Sequence, residues 1–274
     1  MATAISEKIE LLGKGLYGNI PDVLTLSSIP TASELDYVGS EEFDKTMLEK
    51  ILPAAVEEKI DFYKLFEMDY YWVCRCLRIL NYGPYFTTNA IFCGDCGQVS
   101  YGDYSVDVRS VDVKTLPEGF KNDIVISKDE FIDFNKDIHL KLITIADKLN
   151  MYKDKAFQNS KGKTNTELAR ICYSVTSIGP DSSLNPIDIK WKVTTELSPA
   201  DYLILSNCVQ DLTDYGLRSG GTCGCPKCQG SNASFLAMVD DRFFRPTLGD
   251  LRNWKRDRSS GRVENILGNK TNNV

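Results

Sequence analysis

Cysteine is the residue type with the clearest chemistry in this chain, and five of the nine cysteines lie in two short groups. The first group is Cys93-Gly-Asp-Cys96, and the second is Cys223-Gly-Cys225-Pro-Lys-Cys228. A CxxC pair presents two thiolates from one tight turn, and Zn²⁺ takes four such ligands in a tetrahedron. We predict that Cys93, Cys96, Cys225 and Cys228 bind one structural zinc ion. Cys223 is an alternative ligand, so the sequence leaves open which cysteines of the second group complete the site.

The two groups have turn residues typical of zinc knuckles but an unusual separation. Gly97 and Pro226 suit such turns, because glycine tolerates unusual dihedral angles and proline pre-sets φ. Between Cys96 and Cys225 lie 128 residues, where about fifteen to twenty are usual in a zinc ribbon. Redox dithiols or ordinary thiols are the alternative interpretation, but two independent pairs favour zinc. We therefore expect a folded segment inserted into the ribbon.

Composition indicates an ordinary soluble globular protein, with 42% hydrophobic and 26% charged residues in a chain of 274. No apolar run approaches the roughly twenty residues needed to cross a bilayer, and the start lacks the features of a signal peptide. We expect synthesis in the cytoplasm and no membrane association. The net charge of -6 argues against a large, generic nucleic-acid-binding surface, which is usually basic.

The fold class predicted from the periodicity is α+β, beginning with a helical N-terminal layer in residues 1–84. Ser6 to Leu12 is predicted as a short helix. Ser40 is predicted to cap a second helix, because the following apolar residues recur at helical spacing on one face: Phe43, Met47, Leu48, Ile51 and Leu52.

A third helix is predicted from Tyr70 to Leu80, capped by Asp69 and apolar nearly all round. Such a helix should be buried among other elements. Its Cys74 and Cys76 lie about 200° apart around the helix axis, so they cannot bind one metal and are interpreted as core thiols.

The ribbon itself is predicted in two pieces, residues 85–117 and 218–246. Phe92 leads into the first knuckle, and Gly102-Asp103 is expected to turn a hairpin. Apolar residues then alternate with polar ones, as in a strand: Tyr104, Val106, Val108, Val111 and Val113. A two-stranded ribbon is marginal alone, so the metal would supply the missing stability.

Residues 118–217 are predicted to form a small α+β insert and a returning helix. A strand at Ile124 to Ile126 precedes a capping box at Ser127 to Glu130. Ser198-Pro199 is a strong helix start, since serine caps and proline suits the first position. The remaining elements are an alternating segment (Ile138, Leu140, Leu142), helices at Ala146–Phe157 and Thr166–Tyr173, and loops at Gln158–Thr164 and Asp181–Pro186.

The C-terminal part, after a predicted strand at Ser234–Val239 and a turn at Asp240-Asp241, contains an aromatic cluster and a basic helix. Phe243, Phe244, Arg245 and Pro246 are predicted to form a partner-binding patch. Residues 247–274 are predicted as a basic helix and tail, with Thr247 as the cap. The helix carries Trp254, also a predicted partner-binding residue, beside Arg252, Lys255, Arg256 and Arg258.

The residues do not suggest an enzyme. Four cysteines would close the metal's coordination shell, whereas a catalytic zinc keeps a position open for water. The single histidine, His139, leaves little material for catalytic triads or multi-histidine metal sites. Carboxylate clusters such as Asp129-Glu130-Asp133 lie near helix starts, where acids are favoured by the backbone dipole.

The order of these motifs resembles the zinc-ribbon baseplate hub and tail-assembly proteins of contractile-tailed phages. The resemblance extends from about Ser28 to Pro246 and rests on short motifs: LRILNYG, the CxxCG knuckle followed by YSVDVRSVDVKTLP, the second CxxC and FFRP. It implies the same four metal ligands and the same terminal patch, Phe243 to Pro246. The extra Cys223, giving CxCxxC, departs from the family pattern.

The function implied by the resemblance is that of a non-enzymatic baseplate hub subunit or tail-assembly factor, located in the virion. Its partners would be other baseplate or tail subunits, with no small-molecule substrate. The alternative is a nucleic-acid-binding zinc ribbon in which Trp254 stacks on a base and Arg252, Lys255, Arg256, Arg258 and Arg262 contact phosphates. The acidic net charge makes nucleic acid the less favoured partner.

Overall fold

The computed structural model describes residues 6–29, 42–182, 184–236, 243–244 and 246–259, excluding the side chains of residues 218, 219, 236 and 257–259. It is a mixed helix and sheet structure, as the α+β prediction requires. Within the described residues, no helix has both the length and the apolar character needed to span a bilayer.

The chain begins with an antiparallel hairpin of β1 (Ser6–Glu10) and β2 (Val23–Ser27), in which Ser6 pairs with Ser27 and Glu10 with Val23. The predicted helix from Ser6 to Leu12 is therefore wrong. Ile9 and Leu11 are both buried, and a spacing of two residues places them on one side of an extended chain. Pairing with β2 outweighed the local helix propensity.

Helix α1 combines the segments Phe43–Thr46 and Leu52–Ala55 with a π-helical stretch, Met47–Ile51, between them. Its predicted apolar face is confirmed, because Met47, Leu48, Ile51 and Leu52 are buried. The proposed cap, Ser40, lies outside the described residues.

Helix α2 (Glu67–Tyr82) is buried nearly all round, as predicted, and its Cys74 and Cys76 are fully enclosed. The prediction that Asp69 caps the helix is wrong, because the helix starts two residues earlier. The buried carboxylate of Asp69 instead accepts hydrogen bonds from the Leu12 N–H (2.6 Å), the Gly13 N–H (3.1 Å) and the Tyr17 hydroxyl (2.6 Å). It anchors the loop after β1 to the start of α2.

Asp69 should make the free energy of unfolding depend measurably on pH. Burial raises the pKa of its carboxyl from 3.8 to about 6, although its three hydrogen-bond donors oppose the shift. The folded state thus holds the Asp69 proton more tightly than the unfolded state does. The resulting stabilisation of the folded state is complete below about pH 4 and is lost as the pH rises through about 6.

We expect the difference in unfolding free energy between Asp69→Asn and the wild type to shift by about 2.4 kcal/mol in favour of the variant between about pH 4 and pH 7. Urea titrations of both proteins at matched pH measure this difference, in which the titration of all other groups cancels. A difference independent of pH would contradict the assignment.

The central antiparallel sheet begins with β3 (Tyr85–Cys93), β4 (Val99–Asp107) and, after a 3₁₀ turn, β5 (Val111–Lys114). The predicted turn at Gly102-Asp103 is wrong, since β4 runs through both residues. Thr88 pairs with Tyr104 and Ala90 with Tyr101, so β4 holds one extra residue there. Gly102 and Asp103 form a β-bulge, and the first cysteine knuckle makes the turn.

The inserted segment has its own small antiparallel sheet of β6 (Ile124–Ile126), β7 (Ile138–Leu140) and β8 (Val175–Ile178). Four helices pack with this sheet: α3 (Ile145–Lys153), α4 (Thr166–Ser174), α5 (Pro186–Glu196) and α6 (Pro199–Thr213). The β6 strand, the capping box at Ser127 and the helix start at Ser198 are confirmed. Helix α5 was not predicted, although Asn185, Pro186 and Asp188 form a standard helix start.

After α6 the chain returns through β9 (Gly216–Cys223) and β10 (Ala233–Leu236), completing the central sheet in the order β4-β3-β10-β9-β5. Helix α7 (Leu248–Ser259) follows, and Thr247 caps it as predicted, with Thr247 Oγ1 accepting from the Asp250 N–H at 3.2 Å. The predicted turn at Asp240-Asp241 and the end of the predicted strand lie outside the described residues.

The described residues pack into two main hydrophobic clusters. One contains α1, α2, the β1–β2 hairpin and the central sheet, and the other consists of residues from the insert. Phe66, Met68 and Leu142 form a small third cluster between them, and the Glu67–Arg170 ion pair (2.6 Å) joins α2 to α4 beside it. The insert thus has a core of its own while remaining attached to the body at several points.

Candidate metal centre

The two cysteine groups, far apart in sequence, lie side by side in the central sheet. Strand β3 ends at Cys93 and β9 ends at Cys223, and both pair with Ala233 of β10. Because β10 lies between them, the turn that follows β3 and the turn that follows β9 emerge at the same end of the sheet.

The Sγ atoms of Cys93, Cys96, Cys225 and Cys228 all lie within 4.8 Å of one another. Those of Cys93 and Cys228 are 3.6 Å apart. That separation is far beyond a disulfide bond of about 2.05 Å. It is close to the roughly 3.8 Å between ligands bound tetrahedrally at about 2.3 Å from zinc. The four thiols could therefore hold one metal ion.

Both knuckles have the same backbone hydrogen-bonding pattern. In the first, the Cys93 N–H donates to the Gln98 carbonyl (3.0 Å) and the Gly97 N–H to the Cys93 carbonyl (2.9 Å). In the second, the Cys225 N–H donates to the Gly230 carbonyl (2.8 Å) and the Gln229 N–H to the Cys225 carbonyl (3.0 Å). Each turn thereby folds its two thiols toward the same point.

The shared geometry requires a positive φ at the residue after the second cysteine. Gly97 supplies it at φ 67°, whereas the second knuckle uses Gln229 at φ 60°. A side chain in this left-handed region costs about 1 kcal/mol. Gln229→Gly is expected to raise the free energy of unfolding by about that amount, since it relieves the strain.

Gly97→Ala provides the reciprocal control. An added Cβ at Gly97 meets nothing within 4 Å, so only the backbone strain should lower stability, again by about 1 kcal/mol. Chemical denaturation of the metal-loaded protein measures both changes. Equal effects of the same sign would contradict the paired geometry.

Backbone N–H groups in the second knuckle point at the sulfurs. The Lys227 and Cys228 N–H groups donate to Cys225 Sγ at 3.4 and 3.5 Å, and the Gly230 N–H donates to Cys228 Sγ at 3.4 Å. The N–H of Cys228, followed by that of Lys227, lowers the pKa of the Cys225 thiol to about 6. A thiolate at this position is the form that binds metal.

Direct contacts between the knuckles fix their relative position. The Gly94 N–H donates to the Asn232 carbonyl (2.7 Å), and the Asn232 N–H donates to Asp95 Oδ2 (3.2 Å). Lys227 Nζ donates to Gln98 Oε1 at 3.1 Å. Asp95 and Asn232 were not predicted as site residues. The sequence signal that could have identified Asp95 is its position between Cys93 and Cys96. If both knuckles bind one ion, a residue inside the first turn lies close to the second knuckle.

Cys223 lies next to the site but is not one of the four clustered thiols. It is half-buried at the end of β9, and burial raises the pKa of its thiol. His139, in β7 of the insert, is hydrogen-bonded to Asp123 at 2.9 Å and belongs to a different part of the molecule.

The predicted aromatic patch is a part of the core. Phe243 and Phe244 are each 1% exposed, and their rings lie 5.7 Å from Phe86 and 5.8 Å from Phe43, respectively. The expectation that they form an exposed surface is wrong, because they fill the space between α1 and the central sheet. Pro246 is half-buried, and Arg245 lies outside the described residues.

The basic helix α7 exposes Arg252, Lys255 and Arg256, as its sequence indicated. Trp254 is half-buried and packs over Gly83, where an added Cβ would lie 2.4 Å from the indole ring. The Arg258 side chain and Arg262 lie outside the described part of the chain.

The chain matches no protein-family model, no curated protein and no solved structure.

Proposed function

We propose that this chain is a non-enzymatic structural or assembly protein whose four-cysteine centre binds one Zn²⁺ ion. The observation that carries the proposal is the convergence of Cys93, Cys96, Cys225 and Cys228 within 4.8 Å. Soft thiolates suit Zn²⁺, and a complete set of four is typical of structural sites.

The ion would stabilise the module in which the chain leaves and re-enters the central sheet. Its ligands come from the β3–β4 turn and the β9–β10 turn, so it would join both ends of the inserted segment. Four thiolates leave no coordination position for substrate or water, which supports a structural role and not catalysis.

Metal analysis of the purified chain tests this proposal. About one zinc per chain is expected, and removing it with a chelator should lower the melting temperature markedly, because metal binding contributes directly to folding free energy. A protein that is folded and equally stable without metal would refute the structural role.

We further propose that the chain belongs to a phage baseplate or tail, as a hub subunit or an assembly factor. The resemblance of its motifs to that family supports this, and so does an exposed apolar face beside the metal centre. Phe92, Val99 and Tyr101 are 52%, 40% and 81% exposed. The register pairs Phe92 with Val99 and Tyr101 with Ala90, so these side chains lie together across β3 and β4. Exposed apolar patches of this kind often mark protein interfaces.

The double substitution Phe92→Ser and Tyr101→Ser should reduce incorporation of the chain into assembled particles by about tenfold, because interface aromatics commonly carry much of the binding energy. The melting temperature should barely change, since both side chains are exposed. Quantitative mass spectrometry of purified particles and assembly intermediates measures incorporation.

Tyr152→Ser is the matched control, because this tyrosine is also exposed (47%) but lies on α3 of the insert. It should leave incorporation unchanged. Equal losses in the two proteins would argue against a contact specific to the β3–β4 face.

The exposed cations of α7, Arg252, Lys255 and Arg256, favour nucleic-acid binding as a second candidate function. Stacking of Trp254 on a base receives no support, since its ring packs over Gly83. Binding to single-stranded and duplex DNA that weakens steeply with salt would favour this candidate, and salt-independent or undetectable binding would oppose it.

A further inference from the structure

Helix α2 buries two arginines one turn apart, and among the described residues acceptors are found for the guanidinium of only one of them. Arg78 is fully buried, and its guanidinium donates to the carbonyls of Phe243, Gly83 and Tyr85. It connects α2 to β3 and to the segment that contains Phe243. This is the expected arrangement, since a buried charge needs hydrogen-bond acceptors.

Arg75 has no comparable set of acceptors. Its side chain is only 2% exposed, and its Nε is enclosed without a hydrogen-bond partner. Within the described part of the chain, no residue accepts a hydrogen bond from Arg75 Nε or forms an ion pair with the Arg75 side chain. A guanidinium stays charged at any physiological pH, so leaving one unpaired in this environment is costly.

The surroundings of Arg75 hold it in place and add a second cation. Its guanidinium lies 5.0 Å over the ring of Trp72. The Trp72 indole is itself fixed by donating to the Glu10 carbonyl at 3.0 Å. The charges of Asp107 and Arg109 both act on Arg75. The Asp107 carboxylate is already engaged by Arg109, whose Nε donates to both of its oxygens at 3.0 Å. The carboxylate is thus held by Arg109, and within the described part of the chain it forms no ion pair with Arg75.

We propose that Arg75 is a receptor for an oxyanion, either a phosphate or a carboxylate group. A guanidinium presents parallel N–H donors that match two oxygens of such a group. The ring of Trp72 pre-orients the donors, so little ordering is needed when the anion binds. The ligand is either a free phosphate-type anion or the carboxylate of a protein segment docked at this place.

Thermal unfolding of the full, metal-loaded chain tests the proposal. Inorganic phosphate and acetate are each titrated in place of chloride at constant ionic strength, for the wild type and for Arg75→Met. We expect one of the two anions to raise the wild-type melting temperature saturably. Its apparent affinity should fall at least about tenfold in Arg75→Met, which loses charge-assisted hydrogen bonds. A response to phosphate identifies a free oxyanion as the ligand, and a response to acetate alone identifies a protein carboxylate.

Arg252→Met, which removes an exposed cation from α7, is the matched control and should keep the wild-type response. In chloride alone, Arg75→Met should be at least as stable as the wild type, because it removes an unpaired buried charge. The proposal is overturned if neither anion stabilises the wild type, if Arg75→Met responds equally, or if Arg75→Met is strongly destabilised in chloride.

Discussion

Replacing Cys225 with serine is expected to abolish tight zinc binding and to lower the free energy of unfolding by about 4 kcal/mol or more, the range typical of losing a structural metal. Cys225 is buried, and two backbone N–H groups donate to its sulfur. A serine hydroxyl is a harder and less acidic ligand, so three thiolates would remain around an incomplete site. Metal analysis and chemical denaturation of the purified variant measure both effects.

Cys223→Ser is the closest control for that experiment, since it changes the same group of cysteines without touching the four clustered sulfurs. It should retain one zinc per chain and most of the wild-type stability. If Cys223→Ser loses zinc while Cys225→Ser keeps it, the ligand set is wrong and Cys223 completes the site instead.

Arg78→Met is expected to destabilise the chain by about 4 kcal/mol, because it leaves three carbonyl groups without their donor in the protein interior. The guanidinium is fully buried and donates to the carbonyls of Phe243, Gly83 and Tyr85. Zinc content should stay near one ion per chain under native conditions, since no ligand is altered. Urea denaturation together with metal analysis tests this.

The contrast with Arg75→Met controls for the loss of a buried arginine as such. Both changes remove a guanidinium from α2, but in the described ranges only the Arg78 guanidinium has carbonyl acceptors that the substitution would leave without this donor. Similar destabilisation by the two substitutions would show that the hydrogen bonds to Phe243, Gly83 and Tyr85 contribute little.

The cluster of four cysteines was the part of the structure most accessible to sequence reasoning. A CxxC pair is a local pattern, and its turn geometry and thiolate chemistry need few distant contacts to be recognised. The sequence could not choose between Cys223 and Cys225, because that choice depends on where β9 ends. In the structure, the sulfur of Cys225 lies in the cluster of four and that of Cys223 does not.

Helices with strong caps were also predictable, as at Ser198 and Thr247, because the signal lies within a few residues. Errors arose where distant contacts outweighed local preference. Ser6 to Glu10 became a strand by pairing with β2. Phe243 and Phe244 were expected on the surface but are buried. A pair of aromatic residues occurs both in hydrophobic cores and in interfaces, so the sequence alone does not distinguish the two.

The separation of the two knuckles in sequence also determines the order in which the cysteine pairs and the inserted segment appear during translation. After Cys96 emerges from the ribosome, 128 further residues must be translated before Cys225 appears. The intervening segment has its own apolar cluster, so it can collapse while the nascent chain still holds only half of the ligands. Tight capture of the proposed zinc ion would therefore require translation to proceed past Cys228, after the inserted segment has been made.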